Sequence, residues 1–304
     1  MKILSTVAML IFITLYVDLT QACEKNRVRL QILGSGGPEL DDERASSSYL
    51  VWLDKKAAIL VDTGSGSSFN FERSGAKIDD LQAILFTHFH VDHSADFPAY
   101  VKGSFFTSRD EDLLIYGPDG NDVMPSTTQF VNEVLGEKGV YKYLNNYIDP
   151  YQPSRYKIET TNVPLKQDQV FRYELSKDVN ISAVAVHHGP LAAIAWRVDA
   201  YGCSISFSGD MSNRYKTLVG LAKDSDILVA HNAIPEDARG VARNLHMPPS
   251  EIGNIAKKAD VKRLIISHRM QRTLGREQDT KKLIQNAFSG PIVFADDMDK
   301  IELH

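Results

Sequence analysis

The sequence predicts a mixed α/β fold in a single domain, and three observations lead to that prediction. Short apolar runs open both halves of the chain, helical and strand-like segments alternate towards the end, and no Pro- or Gly-rich linker divides the chain. Two halves of this kind suit two sheets packed face to face with helices outside, although periodicity alone leaves that arrangement as one option. The chain has 304 residues, 43% of them hydrophobic, which is enough to bury a substantial core.

The first half of the chain is predicted to begin with strands. Four short apolar runs, bounded by polar or glycine-containing turns, predict them at residues 27–33, 49–53, 58–61 and 81–86. A helix is predicted at residues 96–106, directly after a histidine-rich segment. Residues 107–165 are polar and aromatic, include a predicted helix at 128–135, and are interpreted as an insertion in the domain.

Five tyrosines lie in this predicted insertion: Tyr141, Tyr143, Tyr147, Tyr151 and Tyr156. They could belong to a lid or to the contact of a homodimer. Tyrosines also pack at the bases of loops without any ligand, because the ring is apolar and the hydroxyl is polar. The sequence leaves these interpretations open.

The second half of the chain alternates between the two kinds of element. Strands are predicted at residues 181–186, 194–198, 203–207, 227–230 and 264–266, and helices at 215–222, 249–258 and 278–288. Such alternation is typical of α/β domains. We therefore expect residues 23–304 to form one domain.

The first 22 residues have the pattern of a secretory signal peptide. Met1 and Lys2 give a positive start, residues 3–16 are apolar but short for a membrane span, and Ala22 offers a small residue for cleavage. The alternative is an uncleaved anchor or a buried strand. We expect a secreted or periplasmic protein with no membrane span after removal of the signal.

The two cysteines of the chain lie in different settings. Cys23 follows the predicted cleavage point, which raises a lipid tether on Cys23 as a minority interpretation. Cys203 lies in an apolar run, where a cysteine usually behaves as a small buried hydrophobe. A single disulfide could form in an oxidising compartment, but we expect the buried free thiol.

The charge of the chain gives no electrostatic footprint for a polyanion. The formal net charge is −5, whereas proteins that grip nucleic acid usually carry a basic patch or a high isoelectric point. We therefore do not expect nucleic acid as a partner, and a small-molecule ester is the expected substrate.

A cluster of histidines and an aspartate follows the predicted strand at 81–86: His88, His90, Asp92 and His93. Residues two apart at the end of a strand point to one side, so His88 and His90 could hold one cation together. Asp92 and His93 then turn towards the following helix and could serve a second cation. Neutral imidazole and carboxylate are the ligands expected for zinc and similar ions.

Further metal-ligand residue types stand directly after other predicted strands. His187 and His188 follow residues 184–186, Asp210 follows the run ending at Gly209, and His268 follows residues 264–267. Polar side chains at strand ends are held by a rigid sheet, which suits a preorganised site. Together with the first cluster they supply enough ligands for two metal ions.

Four segments of the chain resemble the metallo-β-lactamase superfamily, in its ribonuclease Z and arylsulfatase-like branch. They are Thr87-His88-Phe89-His90-Val91-Asp92-His93, Leu33 to Pro38, Arg44 to Ser48 and Val61 to Gly64. The resemblance runs from about Arg27 to the C-terminus and implies an αββα sandwich with the site at one edge. It also implies three ligand groups: His88, His90 and His188 on one metal, Asp92, His93 and His268 on the other, and Asp210 bridging both.

The resemblance also bears on residues around these ligands. Its His-Gly-Pro pattern favours His188 over His187, and neighbours at a strand end face opposite ways. Asp62 is predicted either to orient a ligand histidine or to be an ordinary turn residue. His231 occupies a place similar to a proton-donating histidine of ribonuclease Z, but Asn232 follows it where that branch commonly has glutamate. His231 could therefore equally be a plain strand-end residue.

The expected activity is hydrolysis of an ester by a hydroxide that bridges two divalent metal ions, with zinc the expected metal. Asp92 and His231 are the candidate catalytic residues. The leading substrate class is a small sulfate or phosphate ester, as in an arylsulfatase or a phosphodiesterase. The alternatives are a ribonuclease Z-like phosphodiesterase acting on RNA and a β-lactam or lactone hydrolase. His246 and His304 are expected to be structural or surface residues.

Overall fold

Two seven-stranded sheets form the centre of the protein in the computed structural model, which describes residues 23, 24 and 26–303. The first sheet contains β1 (Val28–Gly34), β2 (Ser48–Leu53), β3 (Lys56–Val61), β4 (Ala83–Leu85), β5 (Leu113–Pro118), β6 (Ile158–Val163) and β14 (Lys300–Glu302). The second sheet contains β7 (Phe171–Ser176), β8 (Val179–Ala185), β9 (Ile194–Ala200), β10 (Cys203–Phe207), β11 (Ile227–His231), β12 (Arg263–Ser267) and β13 (Ile292–Phe294).

Helices cover the outer faces of both sheets. They are α1 (Ser67–Ser74), α2 (Val91–Ser94), α3 (Phe97–Ser104), α4 (Thr127–Leu135), α5 (Leu218–Leu221), α6 (Gly240–Leu245), α7 (Pro249–Lys258) and α8 (Glu277–Gln285). Two short 3₁₀ helices span Ile78–Asp80 and Lys142–Tyr147. One apolar cluster lies between the sheets, and two others lie between a sheet and its helices. The predicted sandwich of helix, sheet, sheet and helix is confirmed.

The strand order brings several strand ends to one edge of the sandwich. The orders are β14-β1-β2-β3-β4-β5-β6 and β13-β12-β11-β10-β9-β8-β7. Strands β3 to β6 pair in parallel, and so do β10 to β13. Because the carboxyl ends of parallel strands meet at one edge, the loops after β3, β4, β10, β11 and β12 can deliver side chains to a common site.

Most predicted elements are present, and the exceptions have local causes. The helix predicted at 215–222 shortens to α5, because Asn213 and Lys216 have φ angles of 60° and 58° and the chain turns before the helix begins. Strand β6 was not predicted, because four of its six residues are polar. Strand β7 alternates between half-buried and exposed residues, as an edge strand does.

The predicted insertion at 107–165 begins and ends inside the first sheet. It contains β5 and β6, which pair with each other in parallel, and residues 119–157 are the part between these two strands. Of its tyrosines, Tyr147 and Tyr156 are buried with ring centroids 4.8 Å apart, whereas Tyr141, Tyr143 and Tyr151 are exposed. The first pair packs at the base of the loop, and the role of the exposed three stays a prediction.

A disulfide joins Cys23 to Cys203 across a sequence separation of 180 residues. The expectation of a free buried thiol at Cys203 is therefore wrong, because residue 23 lies beside the start of β10, which the sequence could not show. A sulfur in a disulfide carries no thioether-linked lipid, so the lipid tether on Cys23 is excluded by the same bond. The predicted signal peptide at residues 1–22 lies outside the described residues.

A helix that crosses a bilayer must be both long and apolar. Within residues 23, 24 and 26–303, none combines the two properties that a membrane-crossing helix needs. The disulfide is compatible with an oxidising compartment.

Candidate metal centre

The loop between β4 and α2 carries the first predicted ligands. His88 and His90 lie in the loop itself, and Asp92 and His93 lie in the single turn of α2. Asp62, at the end of β3, holds this loop in place: its Oδ1 accepts a hydrogen bond from the backbone N–H of Thr87 at 2.7 Å. Its Oδ2 accepts from the Thr87 hydroxyl at 2.8 Å. The cluster is thus tied to the edge of the first sheet.

The structure brings one set of ligand atoms together from both sheets. It consists of His88, His90, His188 and Asp210, whose ligand atoms all lie within 4.8 Å of one another. His188 Nε2 lies 3.4 Å from His90 Nδ1 and 3.9 Å from Asp210 Oδ2. His188 follows β8 and Asp210 follows β10, so this set joins the two halves of the chain.

A second set of ligand atoms shares Asp210 with the first. It consists of His93, Asp210, His231 and His268, again within 4.8 Å of one another. Asp92 lies beside this set, with its Oδ2 3.2 Å from His268 Nε2 and 3.5 Å from His93 Nε2. All seven residues predicted as ligands therefore converge at one place. Asp210 is the residue common to both sets among the described residues.

The spacing and the unpartnered atoms of the site fit a pair of cations. Two ligand atoms on a tetrahedral zinc ion lie about 3.3 Å apart. His268 Nε2 lies 3.3 Å and His93 Nε2 3.7 Å from Asp210 Oδ2. The Nε2 atoms of His88 and His93 are buried without a hydrogen-bond partner among the described residues. Buried polar atoms are normally paired, and a metal ion would satisfy these.

Hydrogen bonds on the far side of two imidazoles orient them towards the centre. His93 Nδ1 lies 2.7 Å from Asp62 Oδ2, and His188 Nδ1 donates to the Leu245 carbonyl at 2.9 Å. Each bond places the proton on Nδ1 and leaves the Nε2 lone pair facing the site, as metal-bound histidines require. Of the two interpretations of Asp62, this hydrogen bond favours the partner that orients a histidine of the cluster over the ordinary turn residue.

The charges of the site also suit cations. Burial lowers the pKa of His188 to about 4 and lowers that of His88 well below its usual value, so both rings are neutral at physiological pH. Burial opposes ionisation of Asp210, but His268 and His246 outweigh it and hold its pKa well below the usual range. Burial likewise disfavours protonated His93, yet Asp92 and Asp62 raise its pKa well above normal, so a proton on Nε2 takes the place that a metal ion would otherwise occupy. The carboxylates therefore create a negative potential that favours positive charge.

Both ring nitrogens of His231 are engaged inside the protein. Nδ1 lies 2.8 Å from Asp210 Oδ1, and Nε2 lies 2.8 Å from the Tyr49 hydroxyl. The same hydroxyl donates to Ser267 Oγ at 2.9 Å. His231 is almost fully buried, so this geometry fits a residue that orients Asp210 better than one that reaches a substrate.

His246 lies in the site, so the expectation of a surface residue is wrong, and the alternative of a structural residue stays a prediction. It is buried, and its Nδ1 lies 3.7 Å from Asp210 Oδ2 with no hydrogen-bond partner among the described residues. Its ring centroid is 5.4 Å from that of His188. Sequence reasoning missed His246 because it looked for ligand residues at strand ends, and His246 follows a short helix, α6.

His187 lies apart from both ligand sets. His187 Nδ1 lies 2.7 Å from Ser212 Oγ, and its ring packs edge-on against Tyr215. Neither ligand set contains His187, which agrees with the prediction that one of the two adjacent histidines coordinates. His304 lies outside the described residues.

Known proteins resemble this chain over most of its length. The model of the family described as the metallo-beta-lactamase superfamily matches residues 41–252. A ribonuclease Z from Mycobacterium sp. (strain KMS) is 27% identical over 291 residues, covering 91% of this chain and 96% of its own. A ribonuclease Z from Methanosarcina mazei is 23% identical over 309 residues, and the match covers 91% of this chain and 98% of that protein.

Solved structures share the fold. The metallo-beta-lactamase fold protein YhfI from Bacillus subtilis superposes with a TM-score of 0.68 at 21% identity, covering 90% of this chain and 98% of its own. The short form of human tRNase Z (ELAC1) superposes with a TM-score of 0.69 at 18% identity, covering 91% and 99%. At these identities the likeness establishes the fold alone.

These comparisons confirm some of the functional predictions and correct others. The superfamily, its ribonuclease Z branch and a metal-dependent hydrolase that acts on ester bonds are confirmed. The arylsulfatase prediction finds no support, because the curated relatives reported above are ribonucleases Z. The same relatives act on RNA by name, which conflicts with the expectation that nucleic acid is not a partner. Net charge does not decide the matter, because it averages over the whole surface and a local basic patch can differ from it.

Proposed function

The chain belongs to the metallo-β-lactamase superfamily, whose model matches more than half of its length, and on this premise we propose a two-metal phosphodiesterase of the ribonuclease Z type. One observation carries the proposal: two sets of buried imidazoles and carboxylates meet at Asp210, at the edge of the sandwich. The ligand roles of His88, His90, Asp92, His93, His188, Asp210 and His268 are part of it. Zinc is the proposed metal, since nitrogen and carboxylate donors at these spacings suit it.

Two divalent ions held there would supply a nucleophile at neutral pH and neutralise charge that develops on a phosphoryl oxygen. The protein's own residues prepare this chemistry. Asp62 holds His93 in one tautomer, and the Leu245 carbonyl does the same for His188. The chain from Ser267 through Tyr49 to His231 fixes Asp210, so the shared carboxylate does not turn away from either ligand set.

His246 is the proposed proton donor to the departing oxygen. Its Nδ1 faces Asp210 and has no partner among the described residues, whereas both nitrogens of His231 are occupied. A general acid needs a nitrogen that can reach the leaving group, so access decides between the two. We assign His231 the role of orienting Asp210, in place of the catalytic role suggested by the sequence.

A phosphodiester is the proposed substrate because the curated relatives are ribonucleases Z and the match to them covers nearly their whole length. RNA is the first polymer to test. The protein is further proposed to work outside the cytoplasm, with residues 1–22 as a signal peptide and residues 23–304 as one domain. The disulfide between Cys23 and Cys203 supports an oxidising compartment.

The test uses the mature protein loaded with zinc and measures metal content beside turnover. We expect two equivalents of metal per chain, cleavage of a bis-aryl phosphodiester and of a short RNA, and loss of both activities in a chelator. The His246→Ala variant should keep its metal but lose more activity on RNA than on an aryl ester, because nitrophenolate departs without a proton. Zinc-loaded protein that cleaves a β-lactam or a lactone but no phosphodiester would overturn the proposal.

A further inference from the structure

A cavity of about 560 Å³ lies beside the candidate metal centre and is not used by the chemistry described above. We infer that this cavity binds a second phosphate of the substrate, next to the phosphodiester that is cleaved. The inference rests on the proposed phosphodiesterase function. The arginine cavity, as we name it, is lined by Ser212, Asn213, Arg214, Gly240, Arg243, Asn244 and Glu251.

The walls of the arginine cavity are continuous with the loops that carry the metal-centre residues. Ser212 and Asn213 follow Asp210 by two and three residues, and Asn244 precedes His246 by two. Ser212 Oγ lies 2.7 Å from His187 Nδ1, next to His188 in the chain. Leu245, between Asn244 and His246, accepts the hydrogen bond from His188 through its carbonyl. A group bound here would therefore lie next to the loops that carry Asp210, His188 and His246.

The charge of the arginine cavity is positive and not neutralised from within. Within the described part of the chain, neither Arg214 nor Arg243 forms an ion pair with a carboxylate. Arg214 instead donates to the Asn244 amide oxygen at 3.0 Å, and Arg243 to the His246 carbonyl at 3.4 Å. The one acidic residue, Glu251, accepts a hydrogen bond from Asn213 Nδ2 at 2.6 Å. Two guanidinium groups thus face a single carboxylate that is already engaged.

Guanidinium groups suit an oxyanion, and on the proposed substrate that oxyanion is a phosphate. Each presents a planar set of N–H donors that matches two phosphate oxygens, and it keeps its charge at every physiological pH. Arg214 is exposed and Arg243 is half-buried, so their charges are available to a ligand. A polymer with regularly spaced phosphates would place one at the metal centre and the next in the arginine cavity. The site therefore favours nucleotides with a flanking phosphate over simple diesters.

The test compares two substrates that share the scissile bond and the leaving group. They are the 4-nitrophenyl ester of thymidine 5′-phosphate and the same ester with an added 3′-phosphate. For the zinc-loaded protein we expect the added phosphate to raise kcat/KM by about tenfold, mostly through KM, because charge-assisted hydrogen bonds add binding energy. The preference should shrink as salt is raised, because the arginines are partly exposed.

Three variants locate the preference. The double variant R214Q/R243Q should bring the ratio of the two kcat/KM values to about one, whereas R243K alone should retain part of it because the charge remains. The matched control is R172Q, an exposed arginine of β7 outside the cavity, which should leave the ratio unchanged. Equal kcat/KM values in the unmodified protein, or a preference that survives in the double variant, would overturn the inference.

A binding measurement separates this inference from the proposed function. Thymidine 3′,5′-bisphosphate and thymidine 5′-monophosphate contain no diester, so calorimetry on the zinc-loaded protein reports binding without turnover. We expect tighter binding of the bisphosphate, lost in R214Q/R243Q and kept in R172Q. If the protein cleaves neither ester but binds the bisphosphate selectively, the proposed function fails while the phosphate site stands. If it cleaves both equally and binds both equally, only the phosphate site fails.

Discussion

The two halves of the chain contribute to the metal centre in different ways. The first half supplies His88, His90, Asp92 and His93 from six consecutive positions, in the loop after β4 and in the turn of α2. The second half supplies its residues one at a time, with His188 after β8, Asp210 after β10, His231 in β11 and His268 after β12. A compact loop can be recognised from its own spacing. A dispersed set becomes a site only when parallel strands bring their ends to one edge.

The largest effect is expected where the two halves share a ligand. Replacing Asp210 by Asn removes the carboxylate common to both sets, so we expect activity to fall by about a thousandfold or more and metal content to fall below two equivalents. Metal analysis and kcat measurements check this. Asp122→Asn, a change of an exposed aspartate outside the site, is the matched control. An Asp210→Asn protein with full metal content and full activity contradicts the shared role.

The next effect should separate the two ligand sets. His188→Ala removes a ligand of the first set and His268→Ala one of the second, so each variant should lose about one equivalent of metal and about a hundredfold in activity. Spectroscopy of the cobalt-substituted protein would show whether the remaining ion has a different environment in each. Identical losses of both metals in both variants would mean that the sets do not fill independently.

A smaller effect is expected from Asp62, which holds the loop that carries His88 and His90. Asp62→Asn weakens the hydrogen bond that orients His93, and such partners contribute about tenfold to a hundredfold in metal affinity or activity. The same change weakens the hold on Thr87, so the melting temperature should be measured in parallel. Should zinc affinity stay unchanged while stability falls, Asp62 would be a purely structural residue.

The hydrogen bonds of Tyr49, which join the two halves next to Asp210, should contribute still less to activity. Tyr49→Phe removes the hydroxyl between His231 and Ser267, and one hydrogen bond of this kind corresponds to about threefold to tenfold in kcat. Metal content should be retained, and Tyr173→Phe serves as a control in an edge strand. Unaltered kcat with altered metal affinity would assign the contact to metal binding instead of to turnover.

The smallest effect on chemistry is expected at the other end of β10, where Cys203 is joined to Cys23. Replacing both cysteines by serine should lower the free energy of unfolding by about 2–5 kcal/mol, because the unfolded chain loses a cross-link. Activity at a temperature well below the melting point should be unchanged. Denaturant unfolding and kcat measured on the same samples check both statements, and a large loss of kcat would show that this end of the strand communicates with the site.

Prediction from sequence succeeded where a signal is local and failed where it is not. The helix predicted at 249–258 matches α7 residue for residue, because the apolar face and the proline of the first turn belong to the segment itself. Strands β6 and β14 were missed because their pairing partners, and not their own composition, make them strands. His246 was missed for a related reason, since a short helix and not a strand end delivers it.

The sequence by itself indicated a mixed α/β domain from its pattern of apolar runs. Through its resemblance to the metallo-β-lactamase superfamily it also indicated the sandwich and the seven proposed ligands, because motifs are properties of the chain alone. Only the tertiary structure decided that Cys23 meets Cys203, that His231 is enclosed by Tyr49 and Asp210, and that His246 faces the centre. These are contacts between residues that are distant in the chain. Their distances depend on how the two sheets pack, and periodicity within a segment carries no information about that packing.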